Sequence, residues 1–128
     1  MYNVEVGISD IDPYDMIFYG NYIKYNLRAC FEFFKKSLLD LEVDEILIMK
    51  YIKPINWTSN PKISTELIEI SKQNGFYQYK VFQEWFVNKN VCNRSIIIYK
   101  SKIQVNQDDI EEFCKDLKEV IQTKPIEY

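Results

Sequence analysis

The sequence predicts an α+β domain: an antiparallel sheet bent around one long helix, with a second helix at the C-terminus. Three observations predict it. Residues 21–40 confine their charges to a narrow stripe, and the rest of that segment is apolar or small. From residue 45 onward, four long runs rich in β-branched and aromatic residues follow one another. The connections between those runs are short, which makes neighbouring strands antiparallel.

The elements follow in order. "YNVEVGI", residues 2–8, alternates in part and reads as a first strand. "SDIDPYDMIFYG", residues 9–20, is a loop, because Pro13 breaks regular structure within it. From Asn21 to Asp40 the polar residues Lys24, Arg28, Glu32, Lys35 and Lys36 recur every three or four positions. Such a helix is apolar over most of its circumference and has to be wrapped, which a curved sheet can do.

The strands are expected at residues 45–57, 62–70, 76–87 and 91–105. The segment 76–87 alternates well, with Tyr77, Tyr79, Val81, Trp85 and Val87 on one face. Asn74-Gly75 ahead of it is a hairpin signal, and "NKN" at 88–90 makes the next turn. Asn106 or Asp108 can cap the final helix, whose apolar stripe is Ile110, Phe113, Cys114, Leu117, Val120 and Ile121.

The 128 residues amount to a single domain, with no linker, repeat or low-complexity tract. A net charge of -3 argues against a general nucleic-acid binder. Scattered lysines form no membrane-surface patch, and no apolar run approaches the roughly 20 residues of a spanning helix. The start of the chain has no signal pattern, so the expected location is cytoplasmic.

Cys30, Cys92 and Cys114 lack CxxC spacing and read as reduced core thiols rather than a disulfide framework or zinc site. There is no histidine. That removes Ser-His-Asp triads, Cys-His pairs and histidine-ligated metals. Acid–base chemistry then falls to Asp, Glu, Tyr, Lys or Cys, and no cofactor or metal is called for.

The run Asp10, Asp12, Asp15 ahead of the long helix has two readings. Asp-x-Asp-Pro is a competent turn, since Asp side chains accept backbone N–H bonds, and a carboxylate near a helix start is favoured by the dipole. The same arrangement also suits chemistry. Unpaired N–H groups at a helix start can bind charge developing on a carbonyl oxygen. A carboxylate beside them can attack the carbonyl carbon or activate a water. A thioester suits this pairing, because thiolate leaves readily without a histidine.

"DIDPYDMIFYGNYIKY" followed by "RACFEFF" resembles the start of the hotdog-fold thioesterases of the 4-hydroxybenzoyl-CoA thioesterase-like group. Asp10, Asp12, Pro13, Ile17, Tyr19, Asn21 and Tyr22 fall on the positions of that group's motif. Motif residues cover about the first quarter of the chain, and the remainder matches by layout. The resemblance implies a long helix lying in a curved sheet, assembled as a homodimer or homotetramer with sites at the dimer interface.

It further implies a hydrolase acting on an acyl-CoA or acyl-carrier-protein thioester. Asp12 would be the nucleophile or general base, and the backbone N–H of Tyr19 would polarise the carbonyl. Pro13, Phe18, Gly20 and Asn21 would shape the substrate site. The alternatives are a non-catalytic hotdog protein holding an acyl or aromatic ligand, and an unrelated α+β interaction domain whose carboxylate run is only a turn.

Glu32 lies where some hotdog thioesterases carry their carboxylate, and otherwise reads as an exposed partner for Arg28. Glu66, Glu69 and Glu84 read as strand surface. Lys53, Lys62, Lys72, Lys80, Lys89, Arg94, Lys100 and Lys102 are all available to bind phosphates, and nothing in the sequence selects among them. Tyr14, Phe18, Trp57 and Trp85 could line an acyl pocket or fill the core.

Overall fold

The computed structural model describes residues 1–5, 21–34, 40–56 and 58–103. Five strands and one helix occur in the order β1 (Tyr2–Asn3), α1 (Asn21–Phe33), β2 (Glu42–Tyr51), β3 (Lys62–Gln73), β4 (Phe76–Val87) and β5 (Asn90–Ser101). The strands form one sheet in the order β1-β3-β4-β5-β2, and every neighbouring pair is antiparallel.

Two Asn-led turns set the sheet's register. Asn74 and Gly75 both have positive φ, at 52° and 81°, as a two-residue hairpin between β3 and β4 requires. Asn88, also at positive φ, turns β4 into β5. Tyr79 then faces Tyr99, Val81 faces Ile97, Gln83 faces Ser95 and Trp85 faces Asn93. All eight are buried and lie on the face that receives α1.

The helix lies along this face. Tyr22 packs on the Trp85 ring at 4.7 Å and edge-on to Tyr51 at 5.4 Å. At the other end Phe34 meets Tyr79 at 5.4 Å. Two apolar clusters result, one around Tyr22, Tyr25, Ile63 and Trp85, the other around Cys30, Phe34, Val81, Ile97 and Tyr99.

The boundaries differ from the sequence expectations for physical reasons. β2 spans 42–51 rather than 45–57. Register shifts between Val43 and Glu45 and between Ile46 and Ile48 put an extra residue into the strand twice and spoil its alternation. It ends before Pro54, where the N–H groups of Ile52 and Lys53 both donate to the Cys92 carbonyl. β5 ends at Ser101, not 105, because the Asp40 carboxylate accepts from the Ser101 hydroxyl and the Lys102 N–H.

β3 runs on to Gln73, so the polar residues after Ile70 form one arm of the hairpin. β1 is two residues long, and Val4 follows it with its N–H on the Pro61 carbonyl. The helix is regular through Phe33, and Asp40 lies outside it. The sheet covers α1 on one side, so Phe31 on the opposite side is 41% exposed. The expected C-terminal helix lies outside the described residues.

Candidate active site

α1 opens with Asn21, directly after the carboxylate-rich stretch of the sequence. Of the residues expected at the site, Asn21 is half-buried at the first helical position. Asp12, Pro13, Phe18, Tyr19 and Gly20 lie outside the described residues, as do Asp10, Asp15, Tyr14 and Trp57. Trp85 is a core residue with no exposure.

The start of α1 is held by directional bonds as well as packing. The Trp85 indole N–H donates to the Asn26 side-chain oxygen at 2.6 Å. The Gln83 amide donates to the Asn26 carbonyl at 2.9 Å and to the Thr65 hydroxyl at 3.3 Å. The Tyr99 hydroxyl donates to the Gln83 side-chain oxygen at 2.7 Å. Asn26, Gln83 and Tyr99 are all fully buried. Hydrogen bonds in such surroundings are stronger than in water and fix one arrangement.

The sequence reading passed over this network. Its signal was legible: Gln83 occupies an inward position between Val81 and Trp85, where alternation calls for an apolar residue. Asn93 and Ser95 interrupt the inner face of β5 in the same way, beneath the start of α1. Both Asn93 amide atoms, the Ser95 hydroxyl and the Asn26 amide nitrogen are buried with no hydrogen-bond partner among the described residues.

A cleft of about 390 Å³ flanks the other half of the helix. Ala29, Glu32 and Phe33 line it from α1, Ile63, Ser64 and Thr65 from β3, with Met1 and Tyr2 beyond. The Thr65 hydroxyl oxygen accepts a hydrogen bond from the Gln83 amide, which leaves its own O–H to be donated elsewhere. Glu32 is thus a cleft residue as well as a surface one.

Cys30 is a poor nucleophile. Burial pushes its thiol up to about 12, against a smaller opposing effect of its hydrogen bond with Tyr99. Burial likewise raises the Tyr99 hydroxyl, reinforced by Cys30. Neither group supplies an ionised form near neutral pH. Among the described residues, no three His, Cys, Asp or Glu side chains gather as a metal site, and no helix is long and apolar enough to cross a membrane.

The architecture is similar to that of solved thioesterases. A gentisyl-coenzyme A thioesterase superimposes with a TM-score of 0.72 at 15% identity, over 88% of this chain and 98% of the other. A Thermus thermophilus thioesterase solved with coenzyme A and zinc gives 0.67 at 13% identity, over 87% and 93%. A predicted thioesterase from Bacillus stearothermophilus gives 0.62 at 14%, over 93% of each chain. No protein-family model matches the chain, and no curated protein matches it. At these identities the likeness shows the fold: the open antiparallel sheet on one helix is that of the hotdog thioesterases.

Proposed function

We propose that the chain is a thioesterase that hydrolyses an acyl-CoA or acyl-carrier-protein thioester. One observation carries the reading. α1 begins at Asn21, directly after a stretch of sequence rich in carboxylates, and its first turn is anchored over Trp85 and Tyr51 at one end of the sheet. The first N–H groups of a helix have no intrahelical partner. They and the dipole favour negative charge, as on a thioester oxygen during attack.

Asp12 acts as nucleophile or general base, and the Tyr19 N–H polarises the carbonyl. Pro13, Phe18, Gly20 and Asn21 shape the acyl site. The fold shared with solved thioesterases, one of them holding coenzyme A, supports the reading. Free-thiol release from short, long and aromatic acyl-CoA substrates tests it, with Asp12→Asn beside the native chain. Loss of Asp12 should lower turnover by roughly a hundredfold or more. Equal turnover in both would move the chemistry away from Asp12. Binding without turnover would favour the non-catalytic alternative.

The cleft favours a second placement of the carboxylate, at Glu32. It shares the cleft with Thr65, whose hydroxyl is free to donate to a carbonyl. Glu32→Gln separates the two placements in the same assay.

The chain works as a cytoplasmic homodimer, or a dimer of dimers. β2 lies at the end of the sheet and runs for ten residues, with Ile46 exposed on it and Ile52 exposed just beyond it. Phe31 of α1 is also exposed. A ten-residue edge strand leaves a row of backbone groups unpaired, and the same strand of a second copy can pair with them.

A further inference from the structure

The bonds that hold the start of α1 satisfy only part of the polar surface buried there. Asn26, Asn93 and Ser95 have no exposure at all. Asn26 accepts from the Trp85 indole through its side-chain oxygen and from the Gln83 amide through its carbonyl. Its amide nitrogen, both amide atoms of Asn93 and the Ser95 hydroxyl have no partner among the described residues. The register puts these atoms in one place. Gln83 and Trp85, the two residues that hold Asn26, stand directly opposite Ser95 and Asn93 across the β4–β5 ladder. On the other side of β5, Asn93 faces Tyr51 and Ser95 faces Met49. The Tyr22 ring contacts both Trp85 and Tyr51, the residues that flank Asn93.

The chemistry of the unpaired atoms selects what meets them. Folded proteins pair nearly all of their buried polar groups, with protein or with ordered water. The two amide nitrogens only donate, the Asn93 oxygen only accepts, and the Ser95 hydroxyl does either. The Asn26 amide cannot exchange its ends, because its oxygen accepts from the indole. The occupant therefore has to accept from amide N–H groups and donate to an amide oxygen. A bare cation cannot accept and a bare anion cannot donate, whereas water does both. Buried water in proteins makes about three such bonds. Ser95 is also the smallest of the eight side chains that face α1 from β4 and β5, so space is most available beside the atoms that need a partner.

We propose that internal water is a fixed component of this layer, bonded to Asn26, Asn93 and Ser95, and that it joins α1 to β5. Gln83 and Trp85 tie Asn26 to β4. The water adds a tie to the next strand, so the helix start is held from two strands by directional bonds. Asn93 and Ser95 act on α1 through that water. The proposal stands whether or not the chain cleaves a thioester.

The test is a high-resolution crystal structure of the whole chain, with water-deuteron magnetic relaxation dispersion in solution, which detects water held for long inside a protein. The crystal should show a solvent peak within hydrogen-bond distance of the Asn93 amide and of Asn26 or Ser95. A protein side chain in that place, or the polar atoms in direct contact with one another, overturns the proposal. In solution, an Asn93→Leu/Ser95→Ala variant should lose the dispersion amplitude of at least one long-lived water, with near-UV circular dichroism confirming native packing. Equal amplitudes in the two proteins overturn it.

Urea unfolding gives an independent sign. Polar atoms buried dry and unpaired cost stability, so apolar replacements would raise the midpoint. Polar atoms held by water contribute bonds, so the same replacements should lower it. A raised midpoint overturns the proposal. Ser95→Ala alone, which removes one oxygen and leaves Asn93 in place, gives the same comparison if the double variant does not fold.

Discussion

Replacing Gln83 by Leu tests the buried network against simple packing. Leu is close to Gln in volume, so no large cavity results. The hydrogen bonds are what change. Tyr99 loses the acceptor 2.7 Å away, and the Thr65 hydroxyl and Asn26 carbonyl lose a donor at 3.3 and 2.9 Å. A buried polar group left without its partner costs about 1–3 kcal/mol. Gln83→Leu should therefore destabilise by about 2–3 kcal/mol, and Tyr99→Phe, which orphans the Gln83 oxygen, by about 1–3 kcal/mol. In the double variant both ends of the 2.7 Å bond are gone, so its cost should fall short of the sum by about 1–2 kcal/mol. Urea unfolding reads this directly. With a slope of about 1–3 kcal/mol/M, a 2 kcal/mol loss moves the midpoint by about 1 M. Strict additivity, or a stabilising Gln83→Leu, would refute the account of a network that fixes the helix on the sheet.

Four further outcomes are expected. Ile46→Lys places a charge on the exposed edge strand and should convert a dimer to a monomer in light scattering, with the far-UV spectrum retained. Gly75→Ala should cost about 1 kcal/mol in urea unfolding, all of it backbone strain; its φ is 81° and an added Cβ meets nothing within 4 Å. Cys30 should resist alkylation at pH 8 in the native chain and react once urea unfolds it, as peptide mass spectrometry can read, since it is buried with its thiol near 12. Asp40→Asn should destabilise the chain at neutral pH and make no difference in strong acid. Hydrogen bonding, chiefly from Ser101, lowers the native Asp40 pKa, so its contribution is present above the ordinary carboxylate pKa and vanishes as pH falls through the lowered value.

Particular residues show why some elements were readable and others were not. β4 fell where alternation placed it, because two Asn-led turns punctuate it and every second side chain from Tyr79 to Trp85 is buried. β2 escaped the same reasoning at its start, where its irregular register puts extra residues among the acidic ones. The end of β5 was set by Asp40, a residue 61 positions away from Ser101, and contacts at such separation leave no local pattern. The apolar surface of α1 suggested a helix wrapped on most sides. One sheet covers only part of it, and Phe31 is left exposed on the opposite side. Asn21 was legible as the helix start. The cleft at Glu32 was not, because it depends on how β3 and Met1 lie beside the helix.

The polar network has a bearing on chemistry that packing alone would not. Apolar contacts are non-directional, and a helix resting only on Val, Ile and aromatic side chains can turn or slide on a sheet at modest cost. Here the indole of Trp85 and the amide of Gln83 both bind Asn26, one through its side chain and one through its backbone. Two directional bonds to one residue, five positions after Asn21, fix both the rotation and the axial position of the helix start. Donors aimed at a developing charge stabilise it only if they need not reorganise. Residues away from the helix start thereby set where the first N–H groups of α1 point.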